Sequence, residues 1–386
     1  TKDGTVLTLG GGGTFNITGS IGGTSPNSDL LVDATTVNLN SANTYNGPTF
    51  IQNAGVLNAN VNNALPTTNG RTAIIMDDSG SGSSTLGLAA NQSVASLTGA
   101  ATSQILLGAS QLTVGASGSG SSVFAGSIPG TGGSIVKDGT NTQTFSGANT
   151  YTGTTTVSGG TLLVNNTTGS GTGTSAVAVN SAATLGGNGA ISGNVSVNAG
   201  GILAPGSAAN TAGTITLAGA NITLAGSGVA ETRLAFDFTA ATGNVGAGAL
   251  AGGESWWSSY NGSLLTGTNG KANDLVNFTA ATTNLDWDTG GRVVLNQLGV
   301  TPYTWMLGDV INLLDWTSLS TTGSTFNPGT DLILPDLDTA NTGLTWDTTR
   351  FLATGAAAVT PEPSRMLLLM LGLMGLFFRR RRSRVG

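Results

Sequence analysis

The sequence predicts an all-β protein: a right-handed parallel β-helix (β-solenoid) with a β-rich C-terminal cap and a short C-terminal hydrophobic helix. Three observations carry this prediction. A unit of sequence recurs along the chain, short segments alternate apolar and polar residues, and 61 glycines punctuate the 386 residues. Alternation with period two indicates strands. Strands this short cannot form a core alone, so they must stack as coils that pair with their neighbours.

Residues 1–230 form the predicted solenoid region. The segment Asn43-Thr44-Tyr45-Asn46-Gly47 recurs as Asn149-Thr150-Tyr151-Thr152-Gly153. Ahead of these, Lys2-Asp3-Gly4-Thr5 is echoed by Lys137-Asp138-Gly139-Thr140. Each copy continues into a β-branched segment, a small-residue turn and a second strand. Reuse of one unit is typical of repeat architectures.

Asparagine is the second punctuation residue. Asn tolerates the left-handed conformation and bonds nearby backbone, so Asn165, Asn180 and Asn198 are expected at the corners, stacked between coils. The Gly/Ser-rich segments 79–84 and 115–122 are predicted to be mobile loops. Disorder of the whole Gly/Ser-rich body is the competing interpretation, and the regular β-branched strands disfavour it.

The body resembles the autotransporter-associated β-strand repeat, most clearly over residues 134–206. The residues that carry the resemblance are Ser146 to Gly153 at the start of the unit, and Gly193 to Gly201 leading to Pro205-Gly206 at its end. The resemblance implies a right-handed parallel β-helix.

Composition changes near Glu231. Residues 231–351 contain all six tryptophans and longer apolar segments, and we interpret them as a β-rich cap that covers the last coil. Residues 352–360 form a small-residue linker.

The last 26 residues, 361–386, have the order of a sorting signal. Pro361-Glu362-Pro363 comes first, an apolar run from Met366 to Phe378 follows, and four arginines end it: Arg379, Arg380, Arg381 and Arg382. Prolines hold an extended, unpaired segment that a processing enzyme can grip. The apolar run is expected to be a helix of roughly 20 Å, short of the ~30 Å bilayer core, which suits a temporary anchor. The arginines place the C-terminus in the cytoplasm and the body outside.

This tail resembles the PEP-CTERM sorting signal of Gram-negative bacteria that produce exopolysaccharide. The resemblance implies recognition at Pro361-Glu362-Pro363 and removal by an exosortase, which releases the body to the cell surface or extracellular matrix. Arg365 departs from the pattern, since it places a charge before the apolar run. An ordinary tail anchor with a proline-rich neck is the alternative.

Composition also excludes mechanisms. The chain has no Cys and no His, so thiol nucleophiles, disulfides, imidazole bases and ordinary zinc sites are excluded. The formal charge of −6 understates the acidity of the body, because the tail holds six of the 13 basic residues. We therefore expect no nucleic-acid partner.

Carboxylate pairs are the remaining candidates for catalysis. Asp77-Asp78 follows the predicted strand 72–76 and is the best candidate, because adjacent carboxylates on a coil could serve as the acid and base of glycoside hydrolysis. Successive side chains of a strand point to opposite faces, and Ser-Gly-Ser-Gly follows, so we interpret the pair as a solvated turn. A polysaccharide hydrolase or lyase is the first alternative to a non-enzymatic protein.

Two further candidates are binding sites in the cap. Asp286 and Asp288 lie on one face of a predicted strand, and Asp336 and Asp338 repeat that spacing, so either pair could hold Ca²⁺. Surface acids are the simpler interpretation, and no metal is expected. A second candidate is aromatic: Trp256, Trp257 and Tyr260 could stack on a sugar ring, although filling the core of the cap is the favoured interpretation.

The sequence thus predicts an exported, non-enzymatic surface or matrix protein that needs no cofactor. Its expected partners are an exosortase, the inner membrane before processing, and exopolysaccharide. A signal peptide is expected upstream of Thr1. An autotransporter passenger is the second alternative, disfavoured because the last residues are an arginine-flanked apolar run.

Overall fold

A computed structural model gives the architecture. It describes residues 4–67, 70–77, 82–115, 120–206, 213–219 and 221–224, and beyond them the backbone of further strands up to Pro361 with a few flanking residues. Up to residue 224 the described residues contain strands, turns and bends and no helix.

The strands are short and follow one another at close intervals. The first thirteen are β1 Leu7–Gly10, β2 Thr14–Ile17, β3 Gly22–Gly23, β4 Leu30–Asp33, β5 Thr36–Leu39, β6 Thr44–Tyr45, β7 Thr49–Gln52, β8 Val56–Ala59, β9 Ala73–Asp77, β10 Thr85–Leu88, β11 Gln92–Val94, β12 Ser96–Gly99 and β13 Gln104–Leu106. The next thirteen are β14 Gln111–Val114, β15 Ser121–Phe124, β16 Ser134–Lys137, β17 Thr142–Phe145, β18 Thr155–Val157, β19 Gly160–Val164, β20 Val177–Val179, β21 Ala183–Gly187, β22 Ala190–Ile191, β23 Val195–Val197, β24 Ile202–Pro205, β25 Thr214–Leu217 and β26 Asn221–Leu224.

Eleven further strands follow residue 230. They are β27 Thr232–Thr239, β28 Ala272–Asn273, β29 Leu275–Phe278, β30 Thr283–Trp287, β31 Gly291–Leu298, β32 Val310–Asn312, β33 Leu314–Asp315, β34 Leu319–Gly323, β35 Leu332–Ile333, β36 Leu344–Asp347 and β37 Ala356–Pro361.

Strands from successive coils stack in parallel and form the walls of a solenoid. Sheet 1 is the longest, with strand order β1-β4-β7-β9-β12-β15-β17-β19-β21-β24-β27-β31-β35. Sheet 2 has the order β2-β5-β8-β10-β13, sheet 3 the order β11-β14-β16-β18-β20-β23-β26-β30-β34, and sheet 4 the order β22-β25-β29-β33. The predicted parallel β-solenoid is confirmed.

The alternation in sequence becomes alternation in burial. In β4, Leu30 and Val32 are fully buried, and in β5 the same holds for Val37 and Leu39. The intervening residues face outward and are half-buried. Full burial of one such side chain is worth about 1.5–3 kcal/mol, so each coil stabilises its neighbours through a continuous aliphatic core. The core extends at least to Leu224 and includes Val293 and Leu332 beyond it.

One rung of sheet 1 is incomplete, and side-chain amides complete it. Strand β12 pairs with β15 only at Gly99 and Phe124. The Gln143 amide spans the opening: its Nε2 donates to the Leu97 carbonyl at 3.0 Å, and its Oε1 accepts the Leu97 N–H at 3.0 Å. Asn141 donates to the Ala95 carbonyl at 3.2 Å. Both polar side chains are buried, so they act as substitutes for backbone partners.

The prediction that residues 115–122 form a mobile loop is wrong at its C-terminal end. Strand β15 begins at Ser121, and Ser121 and Ser122 pair with Thr142 and Gln143. A Ser-rich segment has weak strand propensity of its own, but the neighbouring coil offers it an unpaired backbone edge.

Beyond residue 230 the parallel pairing continues. Strands β27, β31 and β35 extend sheet 1, β30 and β34 extend sheet 3, and β29 and β33 extend sheet 4. Strands β32, β37 and β36 form a separate antiparallel sheet. The domain boundaries at 230, 351 and 360 stay predictions, and the predicted helix 366–378 lies outside the described residues.

Candidate functional site

The recurring Asn-Thr-Tyr unit joins three consecutive coils. Asn149 is buried; its Oδ1 accepts the Ile128 N–H at 2.9 Å, and its Nδ2 donates to the Gly171 carbonyl at 2.6 Å. Asn43 repeats this geometry, with 2.8 Å to the Ile21 N–H and 2.6 Å to the Ala64 carbonyl. One amide thus satisfies a donor on the preceding coil and an acceptor on the next.

The tyrosine of the unit fills the core and places its hydroxyl on a threonine. The Tyr45 and Thr49 hydroxyls lie 2.7 Å apart, and the Tyr151 and Thr155 hydroxyls 2.6 Å apart. Burial raises the pKa of both phenols above the ordinary value of 10.0. These tyrosines therefore stay neutral and structural at physiological pH.

The glycine that ends the unit lies against backbone. A Cβ at Gly153 would be 2.3 Å from the Gly133 carbonyl oxygen, and one at Gly47 would be 2.7 Å from that of Ser28. No side chain fits there. The Asn-Thr-Tyr-x-Gly unit is consequently a structural staple between coils.

Lys137 lies at the end of β16 and is fully buried. Its Nζ donates to the Asp138 carbonyl at 2.6 Å, to the Asn141 Oδ1 at 3.2 Å and to the Gly159 carbonyl at 3.2 Å. Burial lowers the pKa of Lys137 to about 8, although the Asp138 carboxylate opposes this shift. All three donors of an ammonium are satisfied, which makes Lys137 an anchor of the turn at Asp138-Gly139.

Asp138 faces outward from the same turn. The Gly139 N–H and the Arg71 guanidinium bond its carboxylate and hold its pKa below the ordinary value. The Arg71 Nη2 lies 3.1 Å from the Asp138 Oδ2, and the Arg71 Nη1 donates to the Gly115 carbonyl at 2.8 Å. Both side chains are partly exposed, so the pair fixes geometry more than it adds stability.

Only one residue of the carboxylate pair weighed as a catalytic site lies within the described residues. Asp77 ends β9, is exposed, and shares an outward row of sheet 1 with Gln52 and Asp33. Asp78 lies outside the described residues. Within the described part of the chain, no three His, Cys, Asp or Glu side chains gather to hold a metal ion.

The binding residues predicted in the cap are not described. The side chains of Asp286, Asp288, Asp336 and Asp338, and those of Trp256, Trp257 and Tyr260, lie outside the described residues. The Ca²⁺ and sugar-stacking interpretations stay untested.

The outward faces of the solenoid are its largest candidate surface. The expected corner stacking occurs, because Asn198 Nδ2 donates to Asn180 Oδ1 at 2.8 Å. Asn165 Oδ1 accepts the Asn188 N–H at 2.9 Å, one coil away. A second set of stacked asparagines, on the outer face of sheet 2, was not predicted. Among them, Asn38 donates to Asn16 at 2.7 Å and Asn58 to Asn38 at 2.8 Å.

Strand β37 brings the described chain to the start of the tail. Residues Leu344 to Asp347 of β36 pair antiparallel with Pro361 to Ala358 of β37. The remaining tail residues lie outside the described part of the chain, including Glu362, Pro363 and Arg379 to Arg382. In the part that is described, no helix has the length and apolar character needed to cross a membrane.

Residues 359–382 match the PEP-CTERM protein-sorting motif. That match covers the proline pair, the apolar run and the four arginines. Two body segments, 33–59 and 135–164, match the Passenger-associated-transport-repeat. Each of these two segments contains one copy of the Asn-Thr-Tyr unit, at 43–47 and at 149–153. None of the curated proteins matches this chain.

The PEP-CTERM motif implies export to the cell envelope of a Gram-negative bacterium and processing by an exosortase. The resemblances stated from sequence are thereby confirmed. Sequence reasoning did not identify Lys137, Gln143 or Asn149 as buried anchors. The recurrence of Lys-Asp-Gly-Thr and Asn-Thr-Tyr was the available signal for Lys137 and Asn149, whereas nothing in the sequence marked Gln143.

Proposed function

We propose that this protein is a non-enzymatic surface or matrix protein, carried outward by its PEP-CTERM segment and freed from the inner membrane by an exosortase. The observation that carries the proposal is the coexistence of a matched sorting motif at 359–382 with a parallel solenoid body. Before processing, the apolar run holds the chain in the inner membrane, and the arginines lie on the cytoplasmic side.

The solenoid then acts as an extended contact surface for exopolysaccharide. Supporting this role, Thr and Ser are the commonest outward residues of the described strands up to Leu224, and the chain is only 8% charged. The described charged groups of this region have structural partners: the buried Lys137 bonds within a turn, and the partly exposed Asp138 pairs with Arg71. A hydrolase or lyase gains no support from the one described candidate, Asp77.

A localisation experiment tests the sorting step. The variant Pro361→Ala/Glu362→Ala/Pro363→Ala is compared with wild type and with Pro335→Ala/Asp336→Ala, a matched proline and acid substitution outside the motif. We expect the motif variant to accumulate in the membrane fraction at full length, while the control reaches the surface. Equal surface amounts of all three proteins would overturn the proposal.

A further inference from the structure

The outer face of sheet 2 breaks the residue preferences of a strand. The third residue of β2, of β5 and of β8 is in each case an outward-facing asparagine: Asn16, Asn38 and Asn58. Asparagine is depleted in strands, where β-branched residues favour the extended backbone. The corresponding outward row of sheet 1 instead carries Leu31, Phe50 and Ile75. Such local conflicts are expected at functional surfaces.

The three amides form a fixed ladder across coils. Asn38 Nδ2 donates to Asn16 Oδ1 at 2.7 Å, and Asn58 Nδ2 donates to Asn38 Oδ1 at 2.8 Å. A second rung lies two residues further along, where Asn60 Nδ2 donates to Asn40 Oδ1 at 2.8 Å. All five side chains are exposed or half-exposed. The amide planes are therefore held in one orientation before any ligand arrives.

The ladder leaves hydrogen-bonding capacity facing solvent. An amide has two N–H donors and an oxygen with two lone pairs. In Asn38 the ladder engages one donor and one lone pair, so one donor and one acceptor remain for a ligand. Neighbouring strands are about 4.8 Å apart, so these pairs recur at that interval along the solenoid axis. Buried Asn43 and Asn149 differ, because their amides bond backbone groups.

The face is uncharged. Its outward residues within the five strands are Thr14, Asn16, Thr36, Asn38, Val56, Asn58, Thr85, Gly87, Gln104 and Leu106. Gly87 continues the asparagine row without a side chain, and Leu106 ends it with 42% of its surface exposed. An uncharged array of donors and acceptors beside an apolar group suits a polymer of hydroxyl groups and C–H faces.

We propose that this surface, the asparagine ladder of sheet 2, binds a neutral, hydroxyl-rich polysaccharide. The inference rests on the proposed function, and it names the face and the chemistry of the partner. Pre-oriented amides lower the entropic cost of binding, and repetition over successive coils lets one chain engage several rungs.

Affinity electrophoresis of the full chain tests the inference, with hydroxyethylcellulose and dextran as neutral polymers and alginate as an anionic one. The variant Asn16→Thr/Asn38→Thr/Asn58→Thr removes the ladder but keeps strand propensity, so it is expected to fold. We expect at least one neutral polymer to retard the wild type. Its affinity for the ladder variant should be lower by about tenfold or more. The control Asn180→Ala/Asn198→Ala removes an equivalent amide pair at a corner of sheet 3 and should bind like wild type.

Each other outcome is decisive. Retardation of the ladder variant equal to wild type would overturn this inference and leave the proposed function standing. Retardation by alginate alone would overturn the neutral chemistry. If no polymer retarded the wild type, the exopolysaccharide role itself would fail as well, while the sorting step would remain tested by localisation. Unfolding temperatures of all variants separate lost binding from lost structure.

Discussion

At the scale of single residues, the solenoid depends on side chains that bond backbone on adjacent coils. Asn149 and Lys137 each serve groups far apart in sequence, and neither is accessible to a ligand. A few polar contacts inside an aliphatic core therefore fix the geometry between coils. Loss of one such contact is costly, because it leaves a buried polar group unpaired.

Replacing Asn149 should destabilise the fold strongly. In Asn149→Ala the Ile128 N–H and the Gly171 carbonyl lose their buried partner, at about 1–3 kcal/mol for each group. Chemical denaturation measures the free energy of unfolding. The control Asn198→Ala removes a half-exposed amide and should cost much less. Equal losses in the two variants would contradict the staple role of Asn149.

Gly153 should tolerate no side chain. A Cβ there would lie 2.3 Å from the Gly133 carbonyl oxygen, whereas at Gly19 it would meet nothing within 4 Å. We expect Gly153→Ala to lower stability by about 2 kcal/mol or more through backbone displacement. Gly19→Ala should be close to neutral. Thermal unfolding of both variants checks this, and a neutral Gly153→Ala would contradict the close approach of the coils.

Lys137 should make stability depend on pH. Its pKa is about 8 in the folded protein and 10.5 ordinarily, so the unfolded chain binds more protons between these values. Stability should therefore rise from pH 8 to pH 10, by at most about 1.4 kcal/mol per pH unit. Above pH 10 the buried, neutral Tyr45 and Tyr151 reverse the trend, because their unfolded forms ionise first.

Denaturant unfolding at several pH values measures this dependence. The variant Lys137→Met should be less stable overall and should lack the rise between pH 8 and pH 10. A rise of the same size in both proteins would show that another group is responsible.

At the scale of elements, side-chain amides maintain sheet 1 where β12 and β15 pair at one position only. The Gln143 amide bonds both the N–H and the carbonyl of Leu97 at 3.0 Å, in the manner of a paired backbone residue. This bridge allows coils of unequal length to stack without opening the core.

Removing the bridge should loosen β12 in particular. In Gln143→Leu the Leu97 N–H and carbonyl lose their partners, which should cost about 1–3 kcal/mol per buried group. Hydrogen exchange should accelerate at the Leu97 amide more than at Ile135, which bonds the Thr154 carbonyl. Gln104→Leu, at an exposed position, serves as the control. Unchanged protection of Leu97 would refute the bridging role.

At the scale of the whole molecule, the sequence predicts the architecture better than the contacts. Period-two alternation indicated short strands, and the recurring unit indicated that these strands stack in coils. Apolar residues such as Val32 and Val37 then face one shared interior. The contacts between the stacked asparagines of sheet 2 could not be predicted from the sequence, because they depend on the register between coils. Asn16 and Asn38 are 22 residues apart, but Asn38 and Asn58 are 20 apart. With uneven coil lengths, pattern alone does not reveal which asparagines stack.

The central claim is that a removable C-terminal signal delivers a β-solenoid to the cell surface. Intact-mass measurement of the protein recovered from the surface tests it most directly. We expect a mass that ends near Pro361, without the apolar run and arginines, while the membrane fraction retains the full chain. Surface protein that still carries residues 366–386 would contradict the account.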